Sequence, residues 1–250
     1  MIRILRSIWQ LLPHNFKQVI GTILGKDIVR RHPKAASSGF DMMKWADKIR
    51  KLSNINIQNI FEIGANYAQD AEFMRHYLKM KPDNVYIFEP HPQIIEDVRK
   101  YYEFNAYDYA ISNVNGNTLF HAIDLSKSTN SGISSLLRHS EVDQQFYFDV
   151  NVKLLRMDSF MELNKISFID FLKIDVEGCT YEVLEGFGEK LKYVKSIQLE
   201  AEQVKLYEGE KLFDEVYALL LQYDFIMAYF ELLDEKQSDS LWIRREYLKH

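Results

Sequence analysis

The sequence predicts an α/β fold: a mostly parallel sheet flanked by helices, interrupted by an inserted β-hairpin and preceded by an N-terminal helical extension. Three observations carry this. Ile55, Ile57, Ile60 and Phe61 form a β-rich apolar run that stops at Glu62-Ile63-Gly64-Ala65-Asn66 and passes into a helical pattern, as the first strand and turn of a nucleotide-binding sheet does. Strand-like and helix-like runs then alternate along most of the chain. Acids recur at the ends of the strand-like runs, at Glu62, Glu89, Asp175 and Glu200.

Composition narrows the class. The 250 residues are 47% hydrophobic and 27% charged, enough apolar material for a sheet buried on both faces and too much for disorder. A single cysteine, Cys179, excludes an intramolecular disulfide and suits a reducing, cytoplasmic location. No stretch of about 18 uninterrupted apolar residues is present, which argues against a spanning helix. The expected organisation is an extension over residues 1–52 and one catalytic-type domain over 53–250.

Charge is uneven. Residues 1–34 carry seven lysines and arginines against Asp27, a local balance of +6 within a net charge of −5, so the remainder is −11. An acidic body lacks the phosphate-neutralising surface that nucleic acid requires. On a helix, Met1 to Leu12 puts Arg3, Arg6, Ser7 and Gln10 on a narrow face and Ile4, Leu5, Ile8, Trp9 and Leu12 on a broad apolar one, until Pro13 breaks it. Such a helix suits two roles: peripheral contact with an anionic inner membrane surface, or docking on the body or a second subunit. Arg6 and the lack of a small-residue cleavage site speak against a secretory signal. Pro33 to Gly39 reads as a linker, and Asp41 to Leu52 as a helix over one end of the sheet.

The elements follow in order. Gly64 has no Cβ, so the backbone there can pass close to a ligand. Ala68 to Leu78 is helical, and Val85 to Phe88 is a short strand ending at Glu89-Pro90. Glu89 stands 25 residues after Gly64, about where a βαβ unit places the acid that binds ribose hydroxyls. A helix from Ile94 to Phe104 leads to a third strand, Ala106 to Ile111. Thr118 to Ile123 and Phe146 to Leu154 alternate as a paired hairpin, and the polar loop between them, Ser126 to Ser135, reads as a functional lid or, alternatively, as mobile surface. The fourth core strand, Phe168 to Ile174, ends in Lys173-Ile174-Asp175-Val176-Glu177-Gly178, and the helix Thr180 to Phe187 follows. Lys195 to Leu199 is the fifth strand, ending Glu200-Ala201-Glu202. A helix over Phe213 to Tyr223 and strands at Phe225 to Leu232 and Leu241 to Arg244 complete an antiparallel sheet edge.

The order of FEIGAN from Phe61, FEP from Phe88, Ala110-Ile111-Ser112, Ser131 to Leu136, Arg156 to Ser159 and KIDVEG from Lys173 resembles the FkbM family of S-adenosylmethionine-dependent methyltransferases. The resemblance covers about residues 55 to 245. It implies a Rossmann-like class I methyltransferase sheet of seven strands, the last antiparallel, and S-adenosylmethionine as cofactor. Glu62, Gly64, Ala65 and Asn66 would line the methionine and ribose side, Glu89 and Pro90 the ribose, Ala110 and Ile111 the adenine. Asp175 and Glu177 would face the transferred methyl. Ala68 departs from the family's usual glycine, and Cys179-Thr180 from its common Ala-Glu.

A sugar hydroxyl is a weak nucleophile and calls for a general base. Asp175 is the first candidate, Glu177 the second, with Lys173 tuning the pair; His139 is a reserve. Glu200 and Glu202 could instead join Asp175 around a divalent cation, the less favoured reading. The function implied is O-methylation of a carbohydrate in bacterial surface polysaccharide biosynthesis. A small secondary metabolite as acceptor, or a non-catalytic subunit of a polysaccharide assembly complex, are the alternatives.

Overall fold

A computed structural model of the protein describes residues 32–35, 42–128 and 130–249. The expected leader helix and most of the expected linker fall outside them.

The core is a seven-stranded sheet in the order β3-β2-β1-β7-β8-β10-β9. Here β1 is Ile60–Ile63, β2 Val85–Phe88, β3 Asn105–Tyr107, β7 Phe171–Ile174, β8 Ser196–Glu202, β9 Phe225–Leu232 and β10 Gln237–Arg244. The strands from β3 to β8 run parallel, and β10 lies antiparallel to both of its neighbours. The sheet is therefore the expected one. Both β1 and β7 are buried along their whole length, as central parallel strands covered on two faces must be.

The helices are α1 (Met42–Leu52), α2 (Gln69–Leu78), α3 (Pro92–Tyr101), α4 (Met157–Leu163), α5 (Thr180–Glu185) and α6 (Phe213–Gln222). Strand alternation sends Phe61 and Ile63 into a core with Phe160 of α4, Val183 and Leu184 of α5 and Val216 and Leu220 of α6. Glu62, between them, faces the other way and accepts a hydrogen bond from the Ala71 N–H in α2. α1 buries Met42, Trp45, Ala46 and Ile49; Trp45 meets Tyr229 of β9 edge-on at 5.6 Å.

Two expectations are corrected. The single third strand expected over Ala106 to Ile111 is two: β3 joins the main sheet, while β4 (Tyr109–Ile111) pairs in parallel with β6 (Tyr147–Leu155) of a second sheet. The break falls at Asp108, whose carboxylate is held by Arg99 of α3 at 3.0 Å while the same guanidinium takes the Ala106 carbonyl. The inserted hairpin is correspondingly a three-stranded sheet, β4-β6-β5, with β5 (Gly116–Ile123) antiparallel to β6.

Candidate active site

The site grows from the turn after β1. Gly64 has φ +76°, and a Cβ built there would sit 1.8 Å from the Asp175 carbonyl oxygen, so the turns after β1 and β7 touch backbone to backbone. Only glycine permits this approach. Its N–H and that of Ala65 bond to the Phe88 carbonyl at the end of β2, and the Asp175 N–H bonds to Ile63. Three strand ends are thereby tied together. Asn66 and Ala68 also adopt left-handed φ, +48° and +53°, and Ala68 is fully buried. Alanine stands there at a cost of about 1–2 kcal/mol that a glycine would not incur.

A cleft of about 650 Å³, open to solvent, lies over these turns. Tyr109, Ala110, Ile111, Phe120 and Leu136 give it an apolar end; Asn66, Glu89, Ser131, Asp175 and Glu177 give it a polar one. Pro90 and Cys179 also line it; burial pushes the Cys179 thiol up to about 12, which keeps it protonated. The Glu89 carboxylate accepts the Asn66 N–H at 2.7 Å and the His91 N–H at 2.8 Å. Burial raises it to about 7 even though both bonds oppose the shift. Ser131, in the expected lid, exchanges hydrogen bonds with the Asn66 side chain.

A second, smaller pocket adjoins at Gly64, Asn66 and Asp175, which line both. Glu62, Ala65, Tyr67, Gln69, Asp70 and Lys173 belong to this one alone of the two. Glu62 thus stands one layer behind the main cleft. In the sheet register Glu62 pairs with Lys173, and Lys173 with Gln198. The buried Lys173 ammonium lies 3.0 Å from Asp175, 3.2 Å from Asp70 and 3.5 Å from Glu62. Burial alone would lower its pKa, but these carboxylates hold it well above the usual value.

Two residues further along the same face, the acids converge. Asp175, Glu177 and Glu200 each place a carboxylate oxygen within 4.8 Å of the others. Glu202 is pinned instead to the Gly178 N–H at 2.8 Å. Burial and the Asp175 charge raise Glu177 to about 8 and Glu200 to about 10, so protons settle the repulsion near neutral pH. Glu177 does not reach the cluster by continuing the strand: β7 ends at Ile174, and Glu177 turns in through φ +53°. His139 stacks edge-on against Tyr207 at 4.8 Å.

The chain matches the profile of the methyltransferase FkbM domain over residues 62–227. It belongs to the FkbM methyltransferase family. The matched span contains Glu62, Gly64, Asn66, Glu89, Asp175, Glu177 and Glu200. The 2-O-methyltransferase NoeI of Sinorhizobium fredii is 26% identical over 184 residues, covering 68% of this chain and 74% of that protein. Among solved structures, a protein of the NADB-Rossmann superfamily from Streptococcus agalactiae gives a TM-score of 0.44 at 13% identity, over 84% of this chain and 69% of that one. Aeropyrum pernix fibrillarin with bound S-adenosyl-L-methionine gives 0.42 at 12%, over 80% and 74%.

Sequence reasoning did not single out Tyr109, Phe120, Gln69 or Tyr207 of this FkbM methyltransferase. The first two sit in strands whose pairing brings them over the cleft, and Tyr207 lies in a loop without periodicity. Among the described residues no helix is long and apolar enough to cross a membrane.

Proposed function

We propose that this FkbM methyltransferase takes S-adenosylmethionine as donor and methylates a sugar hydroxyl, in a bacterial surface polysaccharide or its lipid-linked precursor. The observation that carries the reading is the junction at Gly64, Asn66 and Asp175, where a cleft with an apolar end meets a charged pocket. These two halves suit a molecule with a flat apolar base at one end and an amino acid at the other. The smaller pocket supplies both signs of partner. Among the described residues the buried Gln69 amide Nε2 has no partner, and it lines this pocket together with Lys173, which suits a carboxylate; Asp70 and Asp175 suit an ammonium. The acceptor class is supported by the relative whose name specifies 2-O-methyl transfer.

Ala110, Ile111 and Phe120 would flank the adenine, Glu89 and Pro90 the ribose, and Gly64, Ala65, Asn66 and Asp175 the amino-acid end. When bound, the donor supplies an electrophilic methyl group, so the chain need only align the acceptor and receive a proton. Alignment supplies several kcal/mol of the barrier. The proton of the acceptor hydroxyl is received by the carboxylate pair Asp175 and Glu177, with Lys173 holding Asp175 in place. No divalent cation is required by this scheme.

Calorimetry with S-adenosylhomocysteine and with NAD tests the donor: binding of the first alone supports the reading, and binding of NAD alone replaces it with a dehydrogenase. A methyl-transfer screen over methyl pyranosides and cell-surface glycans tests the acceptor. The basic leader suits an acceptor held at a membrane. Co-sedimentation with anionic liposomes should fall when the first 13 residues are removed, and equal partitioning of both forms rules that role out.

A further inference from the structure

Glu177 is held from three directions. Its left-handed φ of +53° is unfavourable for a residue with a Cβ, so the neighbouring contacts must maintain it. Ser135 Oγ donates to the Glu177 carbonyl at 2.6 Å, and the next N–H, of Gly178, goes to Glu202. The Tyr207 hydroxyl donates to Glu177 Oε2. Gly178 is required for that last contact: a Cβ there would lie 2.7 Å from the Tyr207 ring, which packs directly on the peptide.

Tyr207 is itself fixed. It is 3% exposed and its ring meets His139 edge-on. The segment around it pairs with the chain beyond the lid: Ser140 donates to the Leu206 carbonyl through both N–H and Oγ, and the Glu208 N–H bonds to Arg138. With Oε2 engaged, Oε1 of Glu177 faces the cleft wall, where a Cβ at Gly132 would approach it to 3.9 Å. The charged and titratable groups around Glu177 are Asp175 and Lys173 from β7 and its turn, Glu200 and Glu202 from β8, Tyr147 from β6, and Tyr207. Asp175 has one oxygen engaged as well, but by a cation: its Oδ2 accepts from the Lys173 ammonium, whereas Glu177 accepts from a neutral hydroxyl.

We propose that Tyr207 is a positioning residue for methyl transfer, holding Glu177 so that Oε1 takes the proton of the acceptor hydroxyl. This rests on the reading of the chain as an O-methyltransferase and assigns the proton to one member of the carboxylate pair. As the acceptor oxygen's electron pair forms the new bond to the methyl carbon, the carbon–sulfur pair leaves with sulfur and the hydroxyl proton passes to Glu177. Glu177 then returns that proton to solvent. The hydrogen bond from Tyr207 stabilises the ionised form of Glu177 against burial and the Asp175 charge, which raise it. Without it the carboxylate holds its proton to higher pH.

The test is the pH dependence of kcat for wild type and Tyr207→Phe on the best methyl pyranoside acceptor, with S-adenosylhomocysteine affinity measured by calorimetry. In Tyr207→Phe the rising limb should move up by about one pH unit and kcat at neutral pH should fall about 10-fold, recovering at high pH. Donor-product affinity should change less than about threefold, because Tyr207 does not line either pocket described above. Site-specific 3-fluorotyrosine at 207, a stronger donor of nearly the same shape, should move the limb down. It keeps the test decisive if Tyr207→Phe does not fold. A wild-type enzyme that transfers methyl while both variants keep its pH profile overturns this inference alone. A wild-type enzyme that binds no S-adenosylhomocysteine and methylates nothing in the screen removes the functional reading and this with it.

Discussion

The buried acid behind the cleft makes a quantitative claim about stability. Glu62 is 1% exposed; burial, opposed by Lys173 and reinforced by Asp70, raises its carboxyl to about 8. The folded state therefore holds this proton more tightly than the unfolded chain. The stabilisation is complete below the ordinary value of 4.5 and is lost as pH rises through about 8. From pH 6 to 7 the loss is roughly 1.3 kcal/mol, and from 7 to 8, where the folded-state carboxyl itself begins to ionise, roughly 1 kcal/mol more, about 2.3 kcal/mol in all. For a chain of this size that is a fall in Tm of roughly 5–9 °C. Lys173, held well above 10.5, is charged in both states over this interval and adds no slope. Glu62→Gln removes the titrating proton while its amide oxygen can still accept from Ala71. Thermal unfolding of both proteins at pH 6, 7 and 8 should show wild type falling more steeply. Glu89, Glu177 and Glu202 titrate in both, so the difference belongs to residue 62. Parallel curves would refute the claim that Glu62 is buried with its proton.

Three further outcomes follow from the site. Glu89→Ala strands the Asn66 and His91 N–H groups and removes the proposed ribose partner, so S-adenosylhomocysteine should bind roughly 10- to 100-fold more weakly by calorimetry; unchanged affinity removes Glu89 from the donor site. Asp175→Asn removes the charge that meets Lys173 where the two pockets join, and should lower turnover about 100-fold by misplacing the reacting groups; full activity in that variant excludes Asp175 from the reaction. Gly64→Ala must push the turns after β1 and β7 apart, since its Cβ would meet backbone at 1.8 Å. It should cost about 2–5 kcal/mol in urea unfolding, whereas a wild-type midpoint would mean that the two turns do not touch.

What could be read directly from the residues was what depends on near neighbours in the chain. Apolar runs of strand length that stop at Glu62-Ile63-Gly64 and Glu89-Pro90 mark strand ends, because periodicity and backbone freedom are local properties. The order of those ends located Gly64, Asn66, Glu89 and Asp175, which line one continuous pair of pockets. Glu62 shows where local reading stops. Its place at a strand end was legible, but it shares its face with Lys173 and lines only the smaller pocket, where it meets the Ala71 N–H of α2 and the Lys173 ammonium, and which pocket a strand-end acid reaches has meaning only once the strands and α2 are packed together. The division of residues 105–111 between two sheets depends on Arg99, on another element, reaching Asp108. Tyr207 carries no signal of its own: it meets Glu177 from 30 residues away through a loop that follows no period. Side-chain type and spacing determined which chemistry the chain carries. Strand pairing and long-range hydrogen bonds decided which acid faces which pocket, since those contacts form between segments whose sequences do not encode one another.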